Sequence, residues 1–274
     1  MDFFKPITIN MSGKKVMVCA NYFNKSFKDI MIKGQEFYAV WDEEKKLWST
    51  DIYDAAKYID DELIACANDI RDKAFGSVEV TVKTLTDSTS KGMDAFKQWY
   101  QKQAADSFKW LNSNVIFADD EVTREDYASF KLPYSMKEGD TSAWDELVGT
   151  LYSPEEKRKI EYAIGSVING ESKRLQKFFI FVGDAGTGKS TVLSIIREMF
   201  SGYTAAIDIK SIGMGQTFAL ESLRENPLIA IQDDVDLSKI EDNARLNSII
   251  SHENIMVNEK HKFQYNAKFH IMIF

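Results

Sequence analysis

Eight consecutive residues, Gly183-Asp184-Ala185-Gly186-Thr187-Gly188-Lys189-Ser190, have the types and spacing needed to hold a polyphosphate. They satisfy the pattern G-x-x-x-x-G-K-[ST] at every fixed position. Gly183, Gly186 and Gly188 permit backbone angles and close approaches that a side chain would block, so successive amides can converge on one anion. Lys189 is expected to reach the β- and γ-phosphates, the Ser190 hydroxyl to ligate Mg2+, and Thr191 to support the α-phosphate. A helix beginning there adds its positive N-terminal end. A chance glycine-rich turn is the bland alternative, but the pattern also requires a strand before it and a helix after it. "KFFIFV" and "KSTVLSIIREMF" supply both. ATP with Mg2+ is the implied ligand.

Hydrolysis would need one carboxylate for the metal shell and a second to orient water. Asp233 and Asp234 follow the apolar run Leu228 to Ile231, at the strand end where parallel α/β sheets bind their ligands. Asp233 is expected at the metal and Asp234 as the base, with the reverse assignment open. A third group is basic. Lys260, His261 and Lys262 stand at the turn of a hairpin pattern, "ENIMVNEKHKFQYNAKF", with Phe263 and Tyr265 nearby. Cations interleaved with stacking partners suit single-stranded nucleic acid, although a charged hairpin turn is usually just solvated.

These groups need a frame. After residue 143 the chain reads as a helix and then alternating strand and helix, the pattern of an α/β fold with a parallel central sheet flanked by helices. Ser153, Pro154 and Glu156 form an N-terminal capping signature for a helix whose apolar face is Ile160, Ala163, Ile164 and Val167, with Gly170 as its stop. "KFFIFV" reads as a strand buried on both faces, "PLIAIQDD" as a second, and "FHIMIF" as the last. "LSKIEDNARLNSII" reads as a helix between the acids and the hairpin. Residues 117–142 are polar and turn-rich and are expected to link two domains, 1–116 and 143–274.

The first domain reads as smaller, mixed α/β and largely helical. Strands are expected in "ITIN" and "KKVMVCANYF" around a Ser12-Gly13 turn, and a hairpin in "EFYAVWDEEKKLWST". Amphipathic helices are expected over 52–75, with Ala55, Ala56, Ile59, Leu63, Ile64, Ala67 and Ile70 as the apolar stripe, and over 93–110, with Phe96, Trp99, Tyr100, Phe108 and Trp110 as core aromatics.

Composition excludes several classes. The chain has 274 residues, 44% hydrophobic and 28% charged, so it is neither disordered nor membranous. No apolar run approaches the ~20 residues of a membrane span, and no basic-then-apolar leader begins the chain. Cys19 and Cys66 are too few for a disulfide scaffold, and a reducing cytoplasm is the expected location. A net charge of −8 argues against coating nucleic acid through an overall field, but leaves room for local contact by a few lysines.

The phosphate loop, the acidic pair and the basic hairpin, in this order, resemble the superfamily III helicases, and more narrowly the phage, plasmid and poxvirus-type primase-helicases. "LPYSMKEGDTSAWDELVGTLYSPEEKRKIEYAIGSVINGESKRLQKFFIFVGDAGTGKST" and "FALESLRENPLIAIQDDVD" are similar to segments of that group, and the likeness extends from about residue 35 onward. The resemblance implies an AAA+ type P-loop ATPase core assembled as a ring, often a hexamer. It implies single-stranded or forked DNA as substrate, with the 260–262 hairpin moved along one strand by ATP hydrolysis. Any primase, like other replication partners, would be a separate protein. Two departures stand out. An aspartate replaces the glutamate frequent in the acidic pair, and the family's polar sensor and arginine finger would lie past Phe274. Poor hydrolysis by this piece alone is therefore expected. The alternatives are an ATP-binding replication initiator, loader or switch that never unwinds DNA, a small-molecule P-loop kinase, and a structural domain with a vestigial site.

Overall fold

The computed structural model describes residues 4–21, 28–33, 36–51, 53–86, 91–103, 109–234, 243–260 and 264–274. It divides into two compact units, Met1–Lys109 and Trp110–Phe274.

In the first unit, β1 (Lys5–Asn10) and β2 (Lys15–Asn21) are antiparallel, with Thr8 opposite Val18 and Gly13 between them at φ 74°. That positive φ is where the turn needs glycine. β3 (Ile30–Lys33), β4 (Glu36–Asp42) and β5 (Leu47–Ser49) form a second antiparallel sheet. Its expected hairpin sets Trp41 opposite Trp48, ring to edge at 5.7 Å. Of the stripe read from helical spacing, α1 (Asp54–Lys73) buries Ala55, Ala56, Ile59, Leu63 and Ala67 and half-buries Ile70, whereas Ile64 is exposed. β6 (Glu79–Lys83) runs parallel to β2, and its Val80 joins Val18 and Phe96 in the core. Sequence reading had assigned no strand there, although Val80 and Val82 alternate with polar residues. α2 (Lys91–Gln103) falls on the helix expected over 93–110, of which residues 104–108 lie outside the described residues and Lys109 and Trp110 are not helical. Six strands and two helices, among the described residues, make this unit mixed rather than largely helical.

In the second unit, α3 (Ser142–Leu151) leads to α4 (Pro154–Ile168). The α4 capping box is formed as expected. Ser153 Oγ accepts from Glu156 N at 3.3 Å, and the Glu156 carboxylate accepts from Ser153 N at 2.8 Å. After the single turn α5 (Ser172–Leu175) come α6 (Lys189–Met199), β7 (Thr204–Ala206), α7 (Ile209–Gly213), β8 (Ile229–Ile231) and α8 (Ala244–Ile250). β9 (Asn254–Val257) and β10 (Tyr265–Lys268) form the antiparallel hairpin, and β11 (Met272–Ile273) follows. β11, β8 and β7 lie side by side, all parallel, with Ile229 between Met272 and Thr204.

Two expectations meet a different arrangement here. "KFFIFV" is not a ladder strand buried on both faces. It is an extended segment held to β11 by one backbone bond, Phe179 N to Ile273 O at 2.9 Å. Phe179 and Phe181 pack inward on Phe274 and Tyr152, while Ile180 and Val182 are 46% and 88% exposed. Phe178 packs with the buried cluster that includes Ile212 and Phe269, so solvent reaches only the far end of that face, at Ile180 and Val182. Five apolar residues in a row conceal such a half-buried edge, since no polar residue marks the outer face.

The stretch 117–142, expected as a linker, lies within the second unit. Leu132 N bonds to Ile116 O (2.8 Å) and Ala118 N to Tyr134 O (3.0 Å), so the segment folds back on itself. Phe117 and Leu132 are buried, and Tyr203 fastens both arms. The Tyr203 hydroxyl donates to Phe130 O at 2.7 Å and accepts from Ile116 N at 3.0 Å. Burial pushes that phenol up to about 12, so it keeps its proton. Aromatics spaced through a polar stretch anchor it; composition alone hid them.

His252, just past α8, is buried and stacks on His270 with ring centroids 5.4 Å apart. Burial, with the charges of His270, Lys173 and Lys268, pushes His252 down to about 4. The fold holds the neutral ring, whereas an unfolded histidine titrates near ~6.5. Below that value the unfolded chain binds the extra proton, so stability is complete above it and falls as pH drops toward about 4. Thermal melts across this window are expected to show falling midpoints. His252→Asn, which tolerates the residue's φ of 52°, is expected to flatten the decline. An unchanged slope in the variant would assign the loss to other groups.

Candidate phosphate-binding site

The loop from Gly183 to Gly188 joins the extended segment to α6. Gly186 and Gly188 both sit at φ 79°, the left-handed region that side chains disfavour. Gly188 also lies against Leu151 of α3. A Cβ added there would fall 2.6 Å from a Leu151 methyl. At Gly183 an added Cβ would come within 3.1 Å of Thr187 Oγ1. Among the described residues, the amides of Asp184 through Gly188 donate to no backbone carbonyl. They lie at the start of an eleven-residue helix, whose dipole adds positive potential there.

Lys189 folds back over this loop. Its ammonium donates to Gly183 O and Asp184 O, each at 2.7 Å, and approaches Thr187 Oγ1 at 3.2 Å. Thr187 Oγ1 in turn donates to Asp184 O at 2.8 Å. The cation thus ties the two ends of the loop together and fixes its curvature. Ala185, Ser190 and Thr191 are exposed at its rim.

The acidic pair stands at the carboxyl end of β8. Gln232 organises that end through three bonds: N to Phe274 O (3.0 Å), Ile209 N to its Oε1 (2.8 Å), and its Nε2 to Asp234 O (3.0 Å). Asp233 and Asp234 are exposed beside it. The Asp233 carboxylate is 3.1 Å from the guanidinium of Arg197 on α6. Seven positions separate Arg197 from Ser190, which returns the helix to within about 20° of the same face, about 10 Å further along. Asp233 therefore lies along the face of α6 that Ser190 begins. Among the described residues no hydrogen bond joins Ser190 to either aspartate.

The hairpin forms where expected, with Tyr265 opposite Val257. Lys260 is exposed at its turn; His261 and Lys262 lie outside the described residues. Glu259, next to Lys260 at the turn of the hairpin pattern, is buried. Its carboxylate accepts from the Tyr265 hydroxyl at 2.5 Å and lies 3.6 Å from Arg224, which precedes β8. Arg245 of α8 braces the other strand, donating to Gln216 O (3.1 Å) and Met256 O (3.5 Å). Sequence reasoning missed Arg197, Arg224, Arg245 and Glu259. Only Arg197 left a signal, its same-face spacing from Ser190; the other three act through partners distant in the chain. A cleft of about 690 Å³ opens past the end of β7, bounded by Asp208, Gln216, Thr217 and Phe218.

Comparison with known proteins adds the following. A family model described as a family of unknown function, DUF5906, matches residues 181–274, a span that contains the loop, the acidic pair and the hairpin. No curated protein matches. Among solved structures, the chain is similar to the apo structure of the NrS-1 C-terminal region in its A form, with a TM-score of 0.44 and 17% identity over 65% of this chain and 46% of that one. A second apo structure of the NrS-1 C-terminal region gives 0.44 and 16%, over 65% and 47%. The chain therefore spans about half the length of these structures.

Gly188→Ala is expected to destabilise the second unit by about 1–2 kcal/mol through its positive φ. The Leu151 methyl is the mobile end of a side chain and can move aside. Denaturant melts check this. If Leu151→Ala restored full stability to Gly188→Ala, crowding rather than backbone angle would be the cause.

Proposed function

We propose that the second unit is an ATPase core of the superfamily III helicase type, using ATP and Mg2+ to move a basic hairpin along single-stranded or forked DNA within a homo-oligomeric ring, often a hexamer. The observation that carries this reading is the loop itself. Left-handed glycines, uncommitted amides and a lysine clasping the loop carbonyls meet at the start of α6. The positions of the extended segment, β11, β8 and β7 support it, because the loop and Asp233 then leave the same, carboxyl side of the parallel sheet.

In this reading the amides of 184–188 bind the β-phosphate. Lys189 exchanges its carbonyl partners for β- and γ-phosphate oxygens. The Ser190 hydroxyl, at the start of α6, and the Asp233 carboxylate, beside that helix at Arg197, are hard oxygen donors of the kind Mg2+ takes and would hold it in this reading. Mg2+ would neutralise charge developing on the β- and γ-oxygens. Asp234, exposed at the same strand end, would accept a proton from the attacking water in this reading. Arg224 and Glu259 hold the hairpin so that Lys260 projects from its turn.

A second reading, an ATP-binding replication initiator, loader or switch that does not unwind DNA, draws on the net charge of −8, which opposes extended DNA contact. Two variants separate them. Lys189→Ala is expected to weaken binding of a fluorescent ATP analogue at least about tenfold, the scale of losing one charged phosphate contact. Lys260→Ala is expected to leave nucleotide affinity unchanged and to reduce stimulation of ATPase by single-stranded DNA. Stimulation that survives Lys260→Ala favours the loader. Nucleotide binding that survives Lys189→Ala removes both readings.

A further inference from the structure

On the reading that Mg2+–nucleotide binds at residues 183–191, we propose that Arg197 is a latch on Asp233: it holds the carboxylate when no metal is present and must release it for the metal to bind. The guanidinium and the carboxylate are 3.1 Å apart, a formed ion pair. The pair uses one carboxylate oxygen, Oδ2, and a metal on the same carboxylate would bring a second positive charge close to the guanidinium, a repulsion relieved when the pair opens. Both charged groups that a triphosphate and its metal would engage are thus occupied internally, Lys189 by loop carbonyls and Asp233 by Arg197.

The latch is weak by construction. The side chains of Arg197 and Asp233 are 43% and 56% exposed, and pairs in such surroundings contribute little. A weak latch suits a site that must open at each nucleotide exchange. It sets the metal concentration at which the site fills without touching the phosphates. Arg197 is therefore a positioning residue; it acts through Asp233 and contacts neither phosphate nor loop.

The test is a Mg2+ titration of fluorescent ATP-analogue binding to the full chain and to Arg197→Ala, Arg197→Met and Arg197→Lys. Met keeps the aliphatic stem and guards against loss of packing. Arg197→Ala and Arg197→Met are expected to lower the Mg2+ concentration for half-maximal binding about two- to fivefold, the scale of an exposed pair. Arg197→Lys is expected to stay close to the parent, and binding in the presence of chelator is expected to be equal in all four. A midpoint that is unchanged or raised in both Ala and Met variants overturns the latch, and a raised one would mean that Arg197 helps to build the metal site. If the parent binds nucleotide and the variants match it, only the latch fails. If the parent binds no nucleotide with Mg2+ at millimolar concentration, the nucleotide reading fails with it.

Discussion

A lysine ammonium bonded to the carbonyls of its own loop, at Gly183 and Asp184, is the contact around which the candidate site is built. Carbonyls turned toward the cation leave the amides of the same peptides free to turn the other way. That division requires backbone angles that only glycine adopts cheaply, and Gly186 and Gly188 provide them. The loop is consequently shaped by its own charge before any ligand arrives. Preorganisation of this kind lowers the ordering cost of binding an anion.

The acidic and basic elements are held differently. Asp233 meets Arg197 near the surface, where water screens the pair and keeps it exchangeable. Glu259 meets Tyr265 and Arg224 in a buried setting, where loss of either partner would strand a charge. One carboxylate is free to change partners and the other is fixed. The contrast sets an exchangeable pair beside α6 against a fixed one at the hairpin. Arg245, bonded to Gln216 O and Met256 O, ties the hairpin to the stretch after α7. Motion of that stretch would therefore be felt at β9.

The first unit has a core of its own around α1, and no site signal in the sequence falls within it. Two of its buried carboxylates, Asp60 and Asp42, hold backbone in place. Asp60 accepts from the backbone amides of Leu85 and Thr86, and Asp42 accepts from Tyr58 and from the amides of Glu44 and Lys45. The Tyr58 phenol is driven upward by burial and by Asp42, so it remains a donor. Across this unit no helix is long and apolar enough to cross a membrane, which holds for all described residues.

Local order was legible from the sequence. The α4 cap at Ser153 and Glu156, the α1 stripe, the hairpins at 36–49 and 254–268 and the glycines of the loop all follow from interactions within a few residues or from a period matched to one element. What needed the tertiary structure was every property that depends on a distant partner. "FFIFV" is apolar throughout, yet whether both its faces are covered depends on what packs above and below it. The polar 117–142 stretch looked like a linker until Tyr203, far along the chain, proved to fasten it. Glu259 is buried because Arg224 and Tyr265 come to meet it, and Asp233 faces Arg197 because β8 runs beside α6. Spacing along the chain encodes which side chains share a face; only packing decides what that face meets.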